Sequence, residues 1–429
     1  MDYDAALAYL FEHLPMYQRI GHAAYKKDLT NIELLCRHLG NPQEQIKTIH
    51  IAGTNGKGSV SHALAAVFSQ AGYNTGLYIS PHYRDFRERI KINGNYIDKN
   101  AVSEFVTQNR ALFDEVKPSF FEMTVAMAFW YFAQCKTDMA IIETGLGGRL
   151  DSTNIITPIL SVITNISFDH MNVLGNTLPQ IAFEKAGIIK PNVPVVIGET
   201  HPETEPVFRL KASEMHSDIY FAQQSISLFN ENLANTYITA DVLKQGEQIY
   251  KGLQTDLSGS FQLKNLVTIL QTTELLPDLG YPIHRETVAK ALGRVKQLTN
   301  FIGRWQVISA KNPLIIADSA HNEGGLRYAM SQLVNLRHRQ LHIVLGVVND
   351  KELQLILPLF PRQAMYYFCK ADVPRGMPAE QLQQEALQFG LSGNAYPSVI
   401  AAYDAAKTAA QPNDVVFVGG SIFVVAEIL

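Results

Sequence analysis

The feature of this sequence that most constrains its fold is a repeated alternation of short β-branched runs with longer helical patterns. Five apolar runs predict the buried strands of a first series: TIHIA (48–52), TGLYIS (75–80), MAIIET (139–144), ILSVITNIS (159–167) and VPVVIGE (193–199). A smaller second series begins near residue 299 and has four predicted strands: PLIIADSA, LHIVLGVV, AMYYFCKA and DVVFVGGS. Because such alternation builds parallel sheets with helices on their faces, it predicts an α/β fold.

The length of the chain indicates two domains, because 429 residues are too many for one ordinary hydrophobic core. The polar stretch VKQLTN separates the two series of strands. We therefore predict a first domain over 1–299 and a smaller second domain over 300–429. Between about 200 and 262 the apolar period is mixed, and no element is predicted there.

The composition and charge of the chain exclude several classes of protein. Hydrophobic residues make up 47% of the sequence and charged residues 18%, as in globular proteins. The formal net charge of -4 gives no overall attraction to nucleic acid or to an anionic membrane. The three cysteines are far apart and lack metal-ligand spacing, which favours a reducing cytoplasm over a disulfide framework.

No segment of the sequence predicts export or insertion into a membrane. The N-terminal stretch MDYDAALAYLFEHL lacks the positive start and the apolar run of a signal peptide. The segment FFEMTVAMAFWYFAQC (120–135) is shorter than a membrane span and carries Glu122 and Gln134, so it predicts a buried helix. We expect a cytoplasmic protein.

The loop AGTNGKGS (52–59) joins the first predicted strand to a helix predicted over 59–71. A turn with several glycines can be no more than a tight connection, since glycine tolerates positive φ. Here, however, backbone N–H groups, Lys57 and the Ser59 hydroxyl meet at a helix N-terminus, which is the set that binds nucleotide phosphates with Mg²⁺. The spacing is a variant of G-x-x-x-x-G-K-[ST], and this variation argues against ordinary GTPases and transport ATPases.

Several stretches beyond the loop occur together in one known family. They are SPHYRDFRERIKING (80–94), FFEMT (120–124), ETGLGGRLDSTN (143–154), ISFDH (166–170), EKAGIIK (184–190), GRWQVI (303–308) and DSAHN (318–322). With G-T-N-G-K-G-S, they resemble folylpolyglutamate synthase and dihydrofolate synthase of the Mur ligase superfamily. The resemblance implies a P-loop-containing, Mur-ligase-like ATPase domain followed by a Rossmann-like glutamate ligase domain.

The activity implied by the resemblance is amide-bond formation between a folate or pteroate carboxylate and L-glutamate, driven by ATP. The carboxylate attacks the γ-phosphate to give an acyl phosphate, which the glutamate amine then attacks. The candidate catalytic residues are Lys57, His170 and Lys185. The implied ATP-binding residues are Thr54, Asn55, Gly56, Lys57, Gly58, Ser59, Asn265, Arg304 and Asp318.

The resemblance also implies two Mg²⁺ ions, with Ser80, Glu143 and His170 as ligands. A serine before a proline is commonly a turn residue, and a lone histidine is often an ordinary polar group. Glu143 indicates a metal site more strongly, because a carboxylate that ends the apolar run MAII needs a partner such as a hard cation. Lys185 corresponds to a lysine that the family carries as a carbamate; the alternative is a helix-surface lysine paired with a nearby acid.

For the acceptor substrate, the resemblance implies that three short segments and two further residues line a pterin site. The implied substrate-binding residues are Lys27, Asp28, Leu29, His82, Arg87, Phe120, Phe121, Glu122, Arg149, Leu150 and Asp151. Phe120 and Phe121 are equally explained as core residues. A basic cluster of Arg84, Arg87, Arg89 and Lys91 is either one solvated face of a strand or a site for substrate carboxylates.

Within the family, the segment LGGRLDSTN resembles members that act on both dihydropteroate and reduced folates. We therefore expect a bifunctional enzyme with small-molecule substrates, no nucleic-acid or membrane partner, and a monomeric state. The alternatives are a monofunctional folylpolyglutamate synthase, a Mur ligase acting on a cell-wall precursor, and a nucleotide-dependent switch or binding protein without ligase activity.

Overall fold

The computed structural model describes residues 1–14, 28–349 and 353–429. The chain divides into two compact units. The first comprises Met1–Glu231, Thr239–Leu257 and Leu263–Phe301, and the second comprises Asn232–Ile238, Ser258–Gln262 and Ile302–Leu429. The ATP-binding and glutamate-ligase roles assigned to 1–299 and 300–429 stay a prediction.

The first unit contains an eight-stranded sheet with strand order β4-β3-β2-β5-β1-β6-β7-β8. Its strands are β1 (Thr48–Ala52), β2 (Thr75–Tyr78), β3 (Ile90–Ile92), β4 (Asn95–Tyr96), β5 (Met139–Glu143), β6 (Leu160–Ile163), β7 (Val195–Ile197) and β8 (Ile219–Phe221). In the order of the sheet, the neighbouring strands β2-β5-β1-β6-β7-β8 all pair in parallel. At one edge, β3 pairs with β2 and β4 pairs with β3, both antiparallel. The carboxyl ends of β1, β2, β5 and β6 therefore meet at one edge of the sheet.

Helices cover both faces of this sheet because its central strands are apolar on both sides; β1 and β5 are buried along their whole length. One face packs against the helix Lys57–Gln70, and the other against Phe120–Gln134. The other helices before the second sheet are Tyr3–His13, Thr30–His38, Lys99–Val116, Met171–Leu174, Leu178–Ala186, Glu205–Glu214, Ala222–Ser225, Gln262–Leu275, Arg285–Leu292 and Val295–Thr299.

A six-stranded sheet, ordered β12-β13-β17-β14-β15-β16, forms the centre of the second unit. Its strands are β12 (Gln306–Ser309), β13 (Leu314–Asp318), β14 (Leu341–Leu345), β15 (Met365–Phe368), β16 (Gly393–Ala395) and β17 (Val415–Gly419). All its pairs are parallel except β12 with β13. Its helices are Glu323–Asn335, Leu353–Ile356, Ala379–Leu387, Val399–Ala409 and Ile422–Ala426.

The predicted strands of both series are confirmed, although most are shorter than the apolar runs. The strand predicted over 159–167 ends at Ile163, because Thr164 and the residues after it turn to contact the glycine loop. The helix predicted over 59–71 begins at Lys57 rather than Ser59, since Gly56 adopts a left-handed conformation as its N-cap. The mixed region contains β9 (Ile226–Leu233), β10 (Ile238–Lys244) and β11 (Glu247–Thr255), which form a three-stranded sheet.

The apolar segment 120–135 is confirmed as a buried helix, Phe120–Gln134, which packs in the core of the first unit. Across the described ranges, none of the helices combines the length and apolar character needed to cross a membrane.

Candidate active site

The glycine loop lies at the carboxyl end of β1 and leads into the helix Lys57–Gln70. Gly53 has a φ of 148° and Gly56 a φ of 89°, which disfavour other residues. A Cβ atom on Gly53 would overlap the Thr164 hydroxyl, and one on Gly56 would overlap the Asn265 amide oxygen. Glycine is therefore required at both positions, and the predicted ATP-binding residue Asn265 lies beside the loop.

Hydrogen bonds hold this loop to the segment that follows β6. Thr54 N donates to Asn165 O at 2.9 Å, and the Thr54 hydroxyl donates to Ser167 O at 3.1 Å. Asn55 N donates to Asn165 Oδ1 at 2.8 Å, and its amide Nδ2 donates to Ser167 Oγ at 3.1 Å. Sequence reasoning missed this supporting segment. The change from apolar ILSVI to polar TN indicates where the strand ends, but not which loop the polar residues contact.

Two of the predicted catalytic residues meet at the loop. Lys57 Nζ donates to Gly53 O at 2.9 Å and to Thr54 O at 3.2 Å, while Lys185 Nζ donates to Gly53 O at 2.8 Å. Burial, and then the charge of Lys57, lower the pKa of Lys185 to about 7. The alternative of a helix-surface lysine is wrong, because only 3% of Lys185 is exposed and its amine contacts the phosphate loop.

Glu143 lies at the carboxyl end of β5 and is 4% exposed. Its Oε2 accepts a hydrogen bond from Ser80 N at 3.2 Å. A Cβ atom on Gly58 would lie 3.9 Å from its Oε1, so the carboxylate sits beside the first turn of the loop helix. The structure thus brings Glu143 and Ser80 together next to the phosphate loop.

His170, the third predicted metal ligand, follows β6 and has a left-handed backbone with a φ of 50°. Its Nε2 lies 3.8 Å from Asp169 Oδ1. Throughout the described ranges, no three His, Cys, Asp or Glu side chains form a cluster able to hold a metal ion. Mg²⁺ does not require one, since it commonly takes one or two carboxylates together with substrate phosphates and waters. A buried carboxylate beside a phosphate loop fits that mode of binding.

Glu122, from the predicted acceptor site, has a structural partner that explains its burial. Its Oε2 accepts from Ser119 N at 2.6 Å, and the Ser119 hydroxyl accepts from Glu122 N at 3.2 Å. These reciprocal bonds form a capping box at the start of the helix Phe120–Gln134. Asn31 Nδ2 also donates to Glu122 Oε2 at 3.4 Å, which brings the start of the helix Thr30–His38 to this carboxylate.

The segment before that helix supplies two described residues of the predicted acceptor site. Asp28 is exposed, and its Oδ1 accepts from Thr30 N at 3.0 Å. Leu29 packs against the same apolar cluster as the helix Phe120–Gln134. Lys27 lies outside the described residues.

The two phenylalanines differ in their surroundings. Phe120 is 3% exposed and stacks on Phe11, with 5.6 Å between ring centroids, which is the environment of a core residue. Phe121 is half-buried and lies against Gly145, where a Cβ atom would overlap its ring. Phe121 is therefore the one of the pair that borders the loop after β5.

Asp151 organises that loop. Its Oδ2 accepts from the N–H groups of Gly145 and Leu146, both at 2.8 Å. Its Oδ1 accepts from Thr153 N at 3.0 Å and from the Thr153 hydroxyl at 2.5 Å. Burial raises the pKa of Asp151, and these four donors oppose the shift. Both carboxylate oxygens are thus engaged in holding the loop in shape.

Arg149 and Leu150, which precede Asp151 in the predicted acceptor site, lie towards the surface. Arg149 is exposed and pairs with Glu184, with Nη2 to Oε1 at 2.9 Å. Its guanidinium also lies 5.7 Å from the ring centroid of Phe183, which is 54% exposed. Leu150 is half-buried.

The basic cluster does not form a single solvated face. Arg89 and Lys91 are only 3% and 1% exposed, so the interpretation as a solvated strand face is wrong for these two residues. Lys91 Nζ donates to Thr299 O at 2.8 Å, and burial lowers its pKa to about 8. Arg87 forms an ion pair with Asp85 at 2.6 Å. Arg89 Nε donates to His82 Nδ1 at 2.7 Å.

In the second unit, Arg304 precedes β12 and lies near Asp318, the last residue of the neighbouring strand β13. Asp318 Oδ2 accepts from Trp305 N at 2.6 Å, and its Oδ1 accepts from Ala320 N at 2.7 Å. Burial raises the pKa of Asp318, while the nearby Arg304 charge lowers it. Trp305 is fully buried, with a φ of 40°. The bond from Trp305 N to Asp318 therefore keeps the preceding Arg304 near a buried carboxylate.

A cavity of about 430 Å³ lies elsewhere in the first unit, along β11 and the helix Arg285–Leu292. Tyr250, Lys251, Lys290 and Arg294 are among its lining residues. None of the predicted site residues within the described ranges lines it.

Two family profiles match the chain. One, described as "Mur ligase middle domain", matches residues 51–272, and the other, described as "Mur ligase, glutamate ligase domain", matches residues 303–422. The fold and the phosphate-loop site therefore define an ATP-dependent, amide-bond-forming ligase of the Mur type.

Curated relatives narrow this class. The dihydrofolate synthase/folylpolyglutamate synthase of Bacillus subtilis (strain 168) is 32% identical over 412 residues, which cover 94% of each chain. A probable bifunctional folylpolyglutamate synthase/dihydropteroate synthase of Haloferax volcanii is 31% identical over 443 residues, and the chain spans 50% of its length. The chain belongs to the dihydrofolate synthase/folylpolyglutamate synthase family.

Solved structures agree with this assignment. E. coli FolC in complex with DHPP and ADP has a TM-score of 0.85 and 26% identity, covering 100% of this chain and 97% of that one. A bifunctional folylpolyglutamate synthase/dihydrofolate synthase with Mn, AMPPNP and L-glutamate bound has a TM-score of 0.84 and 28% identity, with coverage of 100% and 97%.

Proposed function

We propose that this enzyme uses ATP to join L-glutamate to 7,8-dihydropteroate and also to tetrahydrofolates. The observation that carries the proposal is the meeting of Lys57, Lys185 and the Glu143–Ser80 pair around one phosphate loop at the carboxyl edge of the first sheet. Relatives named for both activities, and homologous structures holding DHPP, nucleotide and glutamate, support the choice of substrates.

The proposed reaction has two steps. The acceptor carboxylate oxygen attacks the γ-phosphorus of ATP, the bond to the ADP oxygen breaks, and an acyl phosphate forms. The glutamate amine then attacks the acyl carbon, phosphate leaves, and the amine loses a proton. Positioning and neutralisation of charge dominate such phosphoryl transfer.

Individual residues take distinct parts in this scheme. Within the predicted ATP-binding loop Thr54–Ser59, the N–H groups of Gly56 to Ser59 and the Lys57 ammonium bind the phosphates of ATP, because the N–H groups of Thr54 and Asn55 donate to Asn165. Asn265, which lies beside Gly56, belongs to the same nucleotide site. The 1–299 domain is proposed as the ATP-binding domain. In the 300–429 ligase domain, Arg304 and Asp318 are proposed as nucleotide-contacting residues.

Ser80, Glu143 and His170 would hold Mg²⁺, which neutralises phosphate charge when it is bound. The fit rests on the buried Glu143 carboxylate beside the first turn of the loop helix. We propose two such ions.

Lys185 is proposed to carry a carbamate. A pKa of about 7 leaves much of its amine neutral at physiological pH, and a neutral amine can add CO₂. The new N–C bond forms with loss of one proton and converts the side chain into an anion. That anion would lie within reach of the Lys57 ammonium, whose nitrogen shares the Gly53 carbonyl with Lys185. Intact-mass measurement with and without ¹³C-bicarbonate tests the modification.

The proposed acceptor-binding residues are Asp28 and Leu29, Phe120 to Glu122 and Arg149 to Asp151, together with Lys27, which lies outside the described residues. His82 and Arg87 contribute from the segment after β2. Phe121 is the best candidate for stacking on a pterin ring, because it is half-buried and borders the loop held by Asp151. The enzyme is proposed to act as a cytoplasmic monomer.

The deciding experiment measures ADP release and product mass with ATP, Mg²⁺ and L-glutamate. Three parallel samples contain 7,8-dihydropteroate, tetrahydrofolate or no acceptor. A gain of one glutamate on both acceptors supports the bifunctional enzyme. A gain on tetrahydrofolate alone leaves a monofunctional folylpolyglutamate synthase, and equal ADP release in all three samples without any gain in mass supports a nucleotide switch.

A further inference from the structure

A buried arginine contacts the histidine of the SPHY segment. Arg89 is 3% exposed, and its Nε donates to His82 Nδ1 at 2.7 Å. Its guanidinium also lies 5.2 Å from the ring centroid of Phe120, and Glu143 is among the charged groups around it. Burying a guanidinium is costly, so a site that keeps one uses its hydrogen bonds and its charge.

The hydrogen bond from Arg89 assigns the tautomer of His82. A guanidinium has only donors and keeps its protons in proteins, so the ring nitrogen that faces it must be an acceptor. His82 Nδ1 is therefore unprotonated, and the proton of the neutral ring lies on Nε2. Without this contact, the neutral imidazole would exchange its proton between the two nitrogens.

Aromatic side chains fix the plane of the same ring. Phe86 is buried and meets His82 edge to face, with centroids 6.2 Å apart, and Phe11 lies 6.5 Å away on a tilted plane. The segment itself is held by Glu88, whose carboxylate accepts from the N–H groups of Tyr83, Arg84 and Asp85. Both the position of the imidazole and the site of its proton are thus set before any substrate binds.

We propose that Arg89 is a positioning residue, which holds His82 as an Nε2–H donor for an anionic oxygen of the reacting substrates. The inference rests on the proposed function and deepens it, because it assigns to Arg89 a role in the ligation reaction. His82 lies two residues after Ser80, whose N–H bonds to Glu143, and Glu143 is also among the charged groups around Arg89, so the Arg89–His82 pair belongs to the same region as the Ser80–Glu143 pair. A fixed donor requires no reorganisation when negative charge develops on that oxygen.

The first test reads the proton directly. Two-dimensional ¹⁵N NMR of the histidine rings, with His82 assigned from the signals lost in His82→Gln, reports which nitrogen carries the proton in the full chain. We expect a protonated Nε2 and an unprotonated Nδ1. Arg89→Met should give signals averaged between both tautomers, whereas Arg89→Gln, which keeps an N–H donor, should restore the wild-type pattern. A wild-type ring with its proton on Nδ1 overturns the proposal.

The second test is kinetic and separates positioning from structure. Arg89→Met should lower kcat/KM for one substrate by about 10-fold or more, the effect of losing one hydrogen bond to a charged group. Arg89→Gln should recover part of that loss. Arg110→Met, at an exposed arginine over the Tyr9 ring, is the matched control and should retain wild-type kinetics. Equal increases in all KM values, unrelieved in Arg89→Gln, would show a purely structural role.

Different results would contradict the ligase activity and the positioning role of Arg89. If the wild-type chain ligates no glutamate, the proposed function is wrong, while the NMR spectrum still decides the assignment of Arg89 and His82. If ligation proceeds and Arg89→Met keeps kcat/KM within about twofold of the wild type, the positioning role is wrong and the ligase assignment stands.

Discussion

Lys57 and Lys185 donate to the same carbonyl oxygen, that of Gly53, at 2.9 Å and 2.8 Å. Lys57 belongs to the helix that follows the phosphate loop, and Lys185 to the helix Leu178–Ala186. One backbone atom of the loop is therefore held from two directions. Because two amines approach one oxygen, protonation of one disfavours protonation of the other, which adds to the effect of burial on Lys185.

The first prediction concerns the pH dependence of stability. The pKa of Lys185 is about 7 in the folded state, against about 10.4 for an ordinary lysine. Between these values the unfolded chain binds one more proton, so this group makes folding more favourable as pH rises, by up to about 1.4 kcal/mol per pH unit. Lys185→Met should therefore be more stable than the wild type at pH 7, with the difference shrinking towards pH 10.

Urea unfolding in CO₂-free buffers over this pH range measures the effect. Lys211→Met is the control, because Lys211 is half-buried and paired with Glu214 in a surface helix. If the stability curves of Lys185→Met and the wild type run parallel in pH, the lysine is protonated in the folded protein and the carbamate proposal loses its chemical basis.

A second prediction concerns Asp151, which holds the loop after β5 through four donors. In Asp151→Asn, an amide NH₂ replaces one accepting oxygen and faces N–H donors. We expect a loss of about 1 to 3 kcal/mol in unfolding free energy, the cost of leaving such a buried group unsatisfied. The KM for the pteroate acceptor should rise more than the KM for ATP, because the loop borders Phe121.

Asp114→Asn is the matched control for this change, since Asp114 is exposed and accepts one hydrogen bond from the Tyr9 hydroxyl at 2.9 Å. Steady-state kinetics with each substrate varied in turn, together with urea unfolding, provide the comparison. An unchanged acceptor KM in a destabilised Asp151→Asn variant would assign Asp151 to loop structure alone.

The main fold was accessible from sequence because its determinants are local. Each central strand is a continuous apolar run ended by glycine or a polar residue, and both faces of the parallel sheet need such runs. The edge strand pair β3 and β4 was not among the predicted strands, although one interpretation of the basic cluster placed a strand there, since the pair is short and contains the charged residue Lys91. The ammonium group of that buried lysine donates to the carbonyl groups of Thr299 and Asn300, more than 200 positions later.

Some residues of the site could likewise be predicted from the sequence, and others could not. The positions of the glycine loop and of Glu143 could be predicted because each lies at the end of an apolar run that predicts a strand. The support of the loop by Asn165 and Ser167, more than 100 positions away, depends on strand order, which the sequence pattern does not specify. Likewise, the sequence does not show that Arg89 contacts Phe120 and donates a hydrogen bond to His82.

A third prediction separates two roles of Glu122. Ser119→Ala removes the hydroxyl that caps Glu122 N and should cost about 1 kcal/mol in unfolding free energy. It leaves the Glu122 carboxylate in place, so the acceptor KM should change little. Glu122→Gln should raise the acceptor KM if the carboxylate also binds the pterin. Equal acceptor KM values in both variants would leave Glu122 with its capping role alone.

The last prediction concerns a buried cluster at the amino ends of β14 and β17. The Asp414 side chain is fully buried and accepts from Arg339 Nε at 2.9 Å and Nη2 at 3.0 Å, with His342 Nε2 at 3.3 Å. The bond from Arg339 holds the pKa of Asp414 well below its usual range. The folded state thus favours the ionised carboxylate, so its contribution is present above about pH 4 and is lost as pH falls further.

Asp414→Asn should therefore lower the unfolding free energy at neutral pH, on the order of 1 to 3 kcal/mol, and the difference from the wild type should shrink below about pH 4. Urea unfolding from pH 7 to pH 3 measures both effects. Asp404→Asn serves as control, because Asp404 pairs with Lys407 on an exposed helix face and its removal should have a small effect at any pH. Ligase activity well below the unfolding transition should persist in Asp414→Asn, since the amino ends of these strands face away from the carboxyl edge where α/β enzymes bind their ligands. A difference from the wild type that stays constant down to pH 3 would show that Asp414 acts through its shape and not through its charge.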